Sequence, residues 1–183
     1  IAKGYQGVNF DFEYLYPEDE QLYDNFLLKA VNLLNPQGFK VMTSLAPKTS
    51  SDQPGLLYEA HDYQEQGTIV NRIILMTYEW GYLYGPAMPV APLDKVEEVI
   101  SYAISDIPHD KFLMGVPNYG YVFNVPFVEG TAAKLITLKE GPEIAVQKGA
   151  KILFDQEALS PYFIYYDNGE ERHVHFEDAR SLI

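Results

Sequence analysis

Residues 7–19 read GVNFDFEYLYPED, and the spacing of their polar side chains decides the fold. Side chains on a strand alternate between its two faces, so residues i, i+2 and i+4 point the same way. Asn9, Asp11 and Glu13 therefore share one face, roughly 7 Å apart from one to the next by strand rise. Val8, Phe10 and Phe12 fill the other. The plain alternative is a half-exposed strand with its polar side in water. Two features speak against it. Asp and Asn are poor strand formers, and the segment runs into Tyr14-Leu15-Tyr16-Pro17 instead of a hairpin turn. A row of carboxylates at the end of a strand that feeds a helix is where an α/β barrel keeps its chemistry.

Composition narrows the class. The chain has 183 residues, of which 47% are hydrophobic, enough for a globular core. The net charge is −13, with 26 acidic residues against 13 basic. Nucleic acid and anionic membrane surfaces both need clustered Lys and Arg, so neither is expected as a partner. There are 15 Tyr, 10 Phe and one Trp, and rings of this kind suit sugars as well as core packing. Cys is absent, which removes disulfides and thiol chemistry and fits a secreted or spore-type protein. No segment of about 18 uncharged apolar residues is present to span a bilayer. The chain opens at Ile1 without Met and in mid-pattern, as a processed or cut chain would.

Strand and helix signals then alternate. A helix is expected over residues 18–34, with Pro17 at its start and Glu18, Asp19 and Glu20 in its first turn. Leu22, Tyr23, Phe26, Ala30, Leu33 and Leu34 recur at helical spacing, and Asn35-Pro36-Gln37-Gly38 stops the run. A second strand is expected over 39–47 and helical character over 54–66. The apolar run 72–80 reads as a strand buried on both faces. Residues 81–91 form a loop, and Pro92 opens a helix with Leu93, Val96, Val99, Ile100, Ala103 and Ile104 on one side. A fourth strand is expected over 111–119. Four strands separated by helices imply a parallel sheet of βαβ units. After residue 122 the texture changes to a helix near 139–148 and short strands KILF, YFIYYD and RHVHFE. Asn168-Gly169 between the last two is a strong hairpin signal. The final residues, EDARSLI, read as the start of a helix.

The ends of the four parallel strands carry Asp11 and Glu13, then Ala46-Pro47-Lys48, then Tyr78-Glu79-Trp80, then Asn118-Tyr119. In a parallel barrel those ends form one face. Two carboxylates, a Tyr, a further Glu and a Trp make a set with the character of a glycosidase.

These motifs carry a resemblance. GVNFDFE resembles the signature strand of glycoside hydrolase family 18, the chitinase-like family, whose Asp-Gly-x-Asp-x-Asp-x-Glu falls on Gln6 through Glu13. LMTYEW is similar to that family's Met-x-Tyr-Asp strand, with Glu79 in place of Asp. SLAPKTS, GLLYEAHDY, MTYEWG and MGVPNYGY together resemble the branch of spore cortex-lytic N-acetylglucosaminidases of endospore formers. The resemblance spans essentially the whole chain. It implies an α/β fold: a partial (β/α)8 TIM barrel, strands four to seven, followed by a small α+β insertion before the missing eighth strand. Residues 1–122 would be the barrel part, and 123–183 the insertion and the start of the return to the barrel.

The resemblance also implies roles. Glu13 is the general acid. Asp11 orients and stabilises the 2-acetamido group of the substrate, and Tyr78 hydrogen-bonds its carbonyl. Asn9, Glu79, Trp80 and Tyr119 line the substrate site. The family is an exception to the two-carboxylate scheme because the substrate's own acetamido oxygen attacks the anomeric carbon. No cofactor or metal is implied. The partner is a polysaccharide, peptidoglycan or a chitin-like polymer. The expected location is secreted or spore-associated. Two departures stand out: the family's first two aspartates are Gln6 and Asn9 here. Such a chain, with strands one to three expected before Ile1 and the eighth after Ile183, would be inactive alone and prone to association through open sheet edges. A non-catalytic sugar-binding protein and a chitinase are the alternatives. His173 and His175 read as a structural pair in preference to metal ligands, and His61 as a residue making local hydrogen bonds.

Overall fold

In the computed structural model, which describes residues 3–181, the chain divides into two compact units, residues 1–77 with 97–115 and residues 78–96 with 116–183. In the first unit, strands β1 (Gly7–Phe10), β2 (Lys40–Leu45), β3 (Arg72–Leu75) and β4 (Phe112–Met114) form a four-stranded sheet in the order β1-β2-β3-β4. All its pairings are parallel. Helices α1 (Glu20–Leu34) and α2 (Tyr63–Ile69) connect the first three strands, and α3 (Leu93–Asp106) precedes β4. Each strand lies beside the one before it, so the order never reverses. Tyr23 of α1, Tyr63 of α2 and Ala103 of α3 all join one core with β2 and β3.

The core on the helix face follows from alternation. Val41 and Leu45 of β2 and Ile73 and Leu75 of β3 pack with Tyr23, Leu27 and Ala30 of α1, and with Tyr63, Val70, Ala103 and Ile107. Val8 and Phe10 join from β1. The buried stripe of α1 is therefore Tyr23-Asp24-Leu27-Ala30. Leu22 and Leu33, expected on it, are each 66% exposed.

In the second unit, β5 (Tyr119–Val125), β6 (Lys134–Thr137), β7 (Leu153–Asp155), β8 (Ser160–Asp167) and β9 (Glu170–His175) form a five-stranded antiparallel sheet in the order β6-β5-β9-β8-β7. Helix α4 (Glu140–Lys148) covers it through Ala145, which joins Val122, Ile136, Phe163, Val174 and Phe176 in one core. Gly141 suits that approach, because a Cβ there would sit 3.0 Å from the Phe176 ring. The β8–β9 turn is Asn168-Gly169, with φ of 51° and 83°, the left-handed pair that a two-residue hairpin loop requires.

Several expectations are corrected by local chemistry. The strand expected over 72–80 ends its ladder at Leu75, since the Thr77 amide turns back to the Leu75 carbonyl at 2.9 Å. The strand expected over 39–47 stops at Leu45 in the same way, with the Lys48 amide on the Ala46 carbonyl at 3.0 Å. Helix 54–66 is instead a series of turns up to Ala60, then α2, whose cap Asp62 accepts the Glu65 amide at 2.8 Å. The strand expected over 111–119 is two strands in different sheets. Pro117 lies between them and has no N–H to offer a ladder. A boundary at residue 122 would cut through β5, and β6 answers to no strand signal read from the sequence. The expected terminal helix shows a turn up to Ser181; residues 182 and 183 lie outside the described residues.

Asp24, buried in this core, accepts from Gln66 Nε2 at 2.9 Å. Burial, chiefly, raises its carboxyl from 3.8 to about 6. The folded state therefore holds this proton more tightly than the unfolded chain does. The associated stability is complete below 3.8 and is lost as pH rises through about 6. Asp24→Asn keeps an acceptor for Gln66 and has nothing to ionise. Relative to the parent it should gain roughly 1–3 kcal/mol between pH 4 and pH 7, read by urea unfolding at both values. A pH-independent difference would show that Asp24 does not titrate this way.

Candidate active site

The seven residues singled out by sequence fall in two groups, one in each unit. Asn9, Asp11 and Glu13 belong to the first unit and Tyr78, Glu79, Trp80 and Tyr119 to the second. The β1 ladder ends at the Phe10–Thr43 pair, so Asp11 and Glu13 lie just past the strand's C-terminal end. Alternation nevertheless continues. The Phe12 ring packs on Phe10 at 6.1 Å, on Tyr23 at 5.6 Å and on Phe26 at 5.6 Å between centroids. With Phe10 and Phe12 turned to α1, the odd-numbered polar residues take the opposite side. Both carboxylate residues are exposed. Asn9 donates from Nδ2 to the buried Ser44 hydroxyl at 2.8 Å, which ties the row to β2.

A buried polar web supports the end of β2. Tyr63 Oη donates to the Ala46 carbonyl at 2.5 Å and accepts the Lys48 amide at 2.9 Å. Lys48, only 2% exposed, places Nζ on the carbonyls of His61 and Ser51 at 3.0 and 3.2 Å. Burial lowers its ammonium below the usual lysine range. His61 is equally buried; its amide bonds locally to the Tyr58 carbonyl at 3.0 Å, but the hydrogen bonds of its ring are not local. They reach Ala46 and Phe12, which are 15 and 49 residues away.

In the second unit, Glu79 has φ 70°, and its Oε1 accepts hydrogen bonds from Tyr119 Oη at 2.5 Å and Tyr121 Oη at 3.0 Å. Tyr119 and Tyr121 stand two apart on β5 and so share a face, with their rings edge to face at 5.7 Å. Burial and the adjacent carboxylate both push the two phenols upward, so they remain donors. Tyr78 packs against the cluster of Val90, Tyr121 and Phe123. Trp80 is half-buried, and its amide closes a loop onto the Val90 carbonyl at 3.1 Å. The structure thus brings Glu79 and Tyr119 together as partners. Tyr121 and Ser44 were not identified from the sequence, and His61 was read there only as a residue making local hydrogen bonds. Only Tyr121 left a signal there, the Tyr-x-Tyr spacing.

His173 Nε2 lies 2.6 Å from Glu171 Oε1, while His175 is buried and stacked on Tyr162. Among the described residues no group of three or more His, Cys, Asp or Glu side chains is placed to hold a metal ion.

The Glu79–Tyr119 bond makes these positions energetically coupled. Glu79→Ala and Tyr119→Phe should be non-additive in urea unfolding, with a coupling of about 1 kcal/mol. Additive losses would show that the bond contributes nothing in solution.

Residues 2–183 match glycosyl hydrolases family 18. The chain is 45% identical over 181 residues to the cortical fragment-lytic enzyme of Bacillus subtilis (strain 168), covering 98% of this chain and 42% of that one. It superposes on the crystal structure of the Bacillus cereus spore cortex-lytic enzyme SleL with a TM-score of 0.92 at 41% identity, covering 97% of this chain and 41% of that one. A putative sporulation-specific glycosylase, ydhD from Bacillus subtilis, gives a TM-score of 0.93 at 34% identity, with 99% and 60% covered. The chain therefore spans less than half the length of the cortical fragment-lytic relative. With a parallel α/β sheet, the Glu13 strand motif and a match across nearly its whole length, the chain belongs to glycosyl hydrolase family 18.

Proposed function

We propose that the protein hydrolyses β-linked N-acetylglucosamine polymers, with spore cortex peptidoglycan as the substrate, and acts at the spore. The observation that carries the reading is the polar row Asn9-Asp11-Glu13, set opposite Phe10 and Phe12 at the C-terminal end of β1. The names of its relatives, cortical fragment-lytic and spore cortex-lytic enzymes, support the choice of polymer. On this reading the four parallel strands are strands four to seven of a (β/α)8 barrel, and the antiparallel unit is the insertion before strand eight.

The chemistry needs one protein acid. Glu13 gives its proton to the glycosidic oxygen as the bond to the anomeric carbon breaks. The substrate's acetamido oxygen forms the new bond to that carbon, giving an oxazolinium ion. Glu13, now a carboxylate, takes a proton from water as the water opens the ring, so configuration is retained. Asp11 offsets the oxazolinium charge, and its negative charge favours the protonated form of Glu13 beforehand. Tyr78 hydrogen-bonds the acetamido carbonyl. Asn9, Glu79, Trp80 and Tyr119 complete the sugar contacts. Because its hydroxyl serves Glu79, Tyr119 offers the sugar its ring. Asn9 in place of the family aspartate can hydrogen-bond but cannot share a charge with Asp11.

The test uses a chain extended to the length of its relatives. Glu13→Gln should lower turnover roughly 100- to 10,000-fold while sugar binding, followed by calorimetry, persists. Near-normal turnover would refute the assignment. Mass spectrometry of products from cortex muropeptides and from chitin oligomers then decides the polymer, since the acetamido step is common to both.

The second outcome concerns the nucleophile. A thiazoline mimic of the oxazolinium should inhibit far more tightly than substrate binds, as intermediate-like compounds do. A glycosyl group trapped covalently on Asp11 would overturn substrate assistance.

A further inference from the structure

The β1–β2 ladder begins with the Lys40 amide on the Gln6 carbonyl at 2.9 Å. Parallel ladders advance by two residues per rung on each strand. Stepping from Lys40 and Gln6 brings the Ala46 amide opposite the Phe12 carbonyl. That rung is not formed directly. The His61 imidazole lies between the two groups, with Nδ1 at 2.9 Å from the Ala46 nitrogen and Nε2 at 3.0 Å from the Phe12 oxygen. A backbone amide can only donate and a carbonyl can only accept. The ring is therefore neutral, with its proton on Nε2. Burial, the largest influence, favours this neutral form.

We propose that His61 is the positioning residue for the acid: its imidazole, inserted in the β1–β2 ladder between Ala46 and Phe12, sets where Asp11 and Glu13 stand. Phe12 separates the two carboxylate residues, and the ladder proper has already ended at Phe10. The inserted ring holds this stretch farther from β2 than a direct hydrogen bond would. Immediately beyond Glu13, Tyr14 has φ 55°, so the chain departs sharply there. The main chain that carries the ring is itself held, because Lys48 Nζ donates to the His61 carbonyl at 3.0 Å. The charged groups near the ring are Lys48 and Asp11. This assignment rests on the reading of Glu13 as the general acid.

The experiment uses the extended chain and three readouts. Nitrogen-15 NMR at pH 7 should show His61 protonated on Nε2 alone; a proton on Nδ1 overturns the proposal. In kinetics, His61→Leu should lower kcat about 100-fold with KM unchanged, the scale of a misplacement of about 1 Å. His61→Gln, whose amide can accept from Ala46 and donate to Phe12, should recover at least about tenfold of that loss. Parental kcat in His61→Leu overturns the proposal. So do equal losses in Leu and Gln, because a merely structural role would follow melting temperature in both. If His61→Leu does not fold, His61→Asn, which reaches Ala46 but not Phe12, takes its place. The third readout needs no activity. The carbon-13 titration midpoint of the Glu13 carboxyl should move in His61→Leu and return in His61→Gln, and identical midpoints in all three proteins overturn the proposal. Turnover that survives Glu13→Gln, or is missing from the parent, counts against the glycosidase reading alone, and the titration still judges His61.

Discussion

The contact of Phe10 and Phe12 with α1 is the constraint on which the first unit's chemistry depends. Phe10 meets the Phe26 ring edge-on at 4.7 Å, and Phe12 stacks on it at 5.6 Å. β1 stands at one end of the sheet order, with β2 as its partner. Its ladder covers only Gly7–Phe10. Hydrogen bonding alone would hold such a strand weakly, and a slip of one residue would exchange its faces. The aromatic contacts, each worth about 0.5–1.5 kcal/mol beyond area burial, forbid that exchange. Were the faces exchanged, Asp11 and Glu13 would take the places of Phe10 and Phe12 beside the rings of α1, where a carboxylate finds no compensating partner.

The support beneath this row is polar where the helix side is apolar. Tyr63, Lys48 and His61 are all buried, and each of them bonds the main chain between Ala46 and His61 or at Phe12. Buried polar groups are tolerable only when they are hydrogen-bonded. Here they convert the loose end of a strand into a fixed one, a task a Leu or Phe at the same place could not perform. Rigid main chain behind Glu13 is what the role proposed for it requires by way of pre-organisation.

What could be read from the sequence was what residues a few positions apart decide. The alternation over Val8-Asn9-Phe10, the stop at Asn35-Pro36-Gln37-Gly38 and the Asn168-Gly169 hairpin are all of this kind, and the structure has each of them; beyond Phe10 the strand ends and Phe12 is 45% exposed. The role proposed for Glu13 came from likeness to a family, not from spacing. What escaped depends on distant partners. A histidine in YEAHDY gives no sign that its ring will meet Phe12, 49 positions away. The split of 111–119 into β4 and β5 follows from which sheet each half joins, and an apolar run does not encode that. Leu22 and Leu33 fit the helical period of α1 as well as Leu27 does. Only the packing of β2 and β3 selects Leu27 for the core.

Glu79 holds two demands that pull in opposite directions. Its φ of 70° lies in the left-handed region, which costs a residue with a Cβ roughly 1–2 kcal/mol and a glycine almost nothing. Its carboxylate meanwhile gathers the hydroxyls of Tyr119 and Tyr121. A glycine would satisfy the main chain and abandon both phenols, and an aspartate would keep the charge on a shorter arm. Which residue is best at 79 therefore depends on what stands at 119 and 121. The three positions are therefore coupled through one carboxylate, and each is expected to resist replacement while the other two stay as they are.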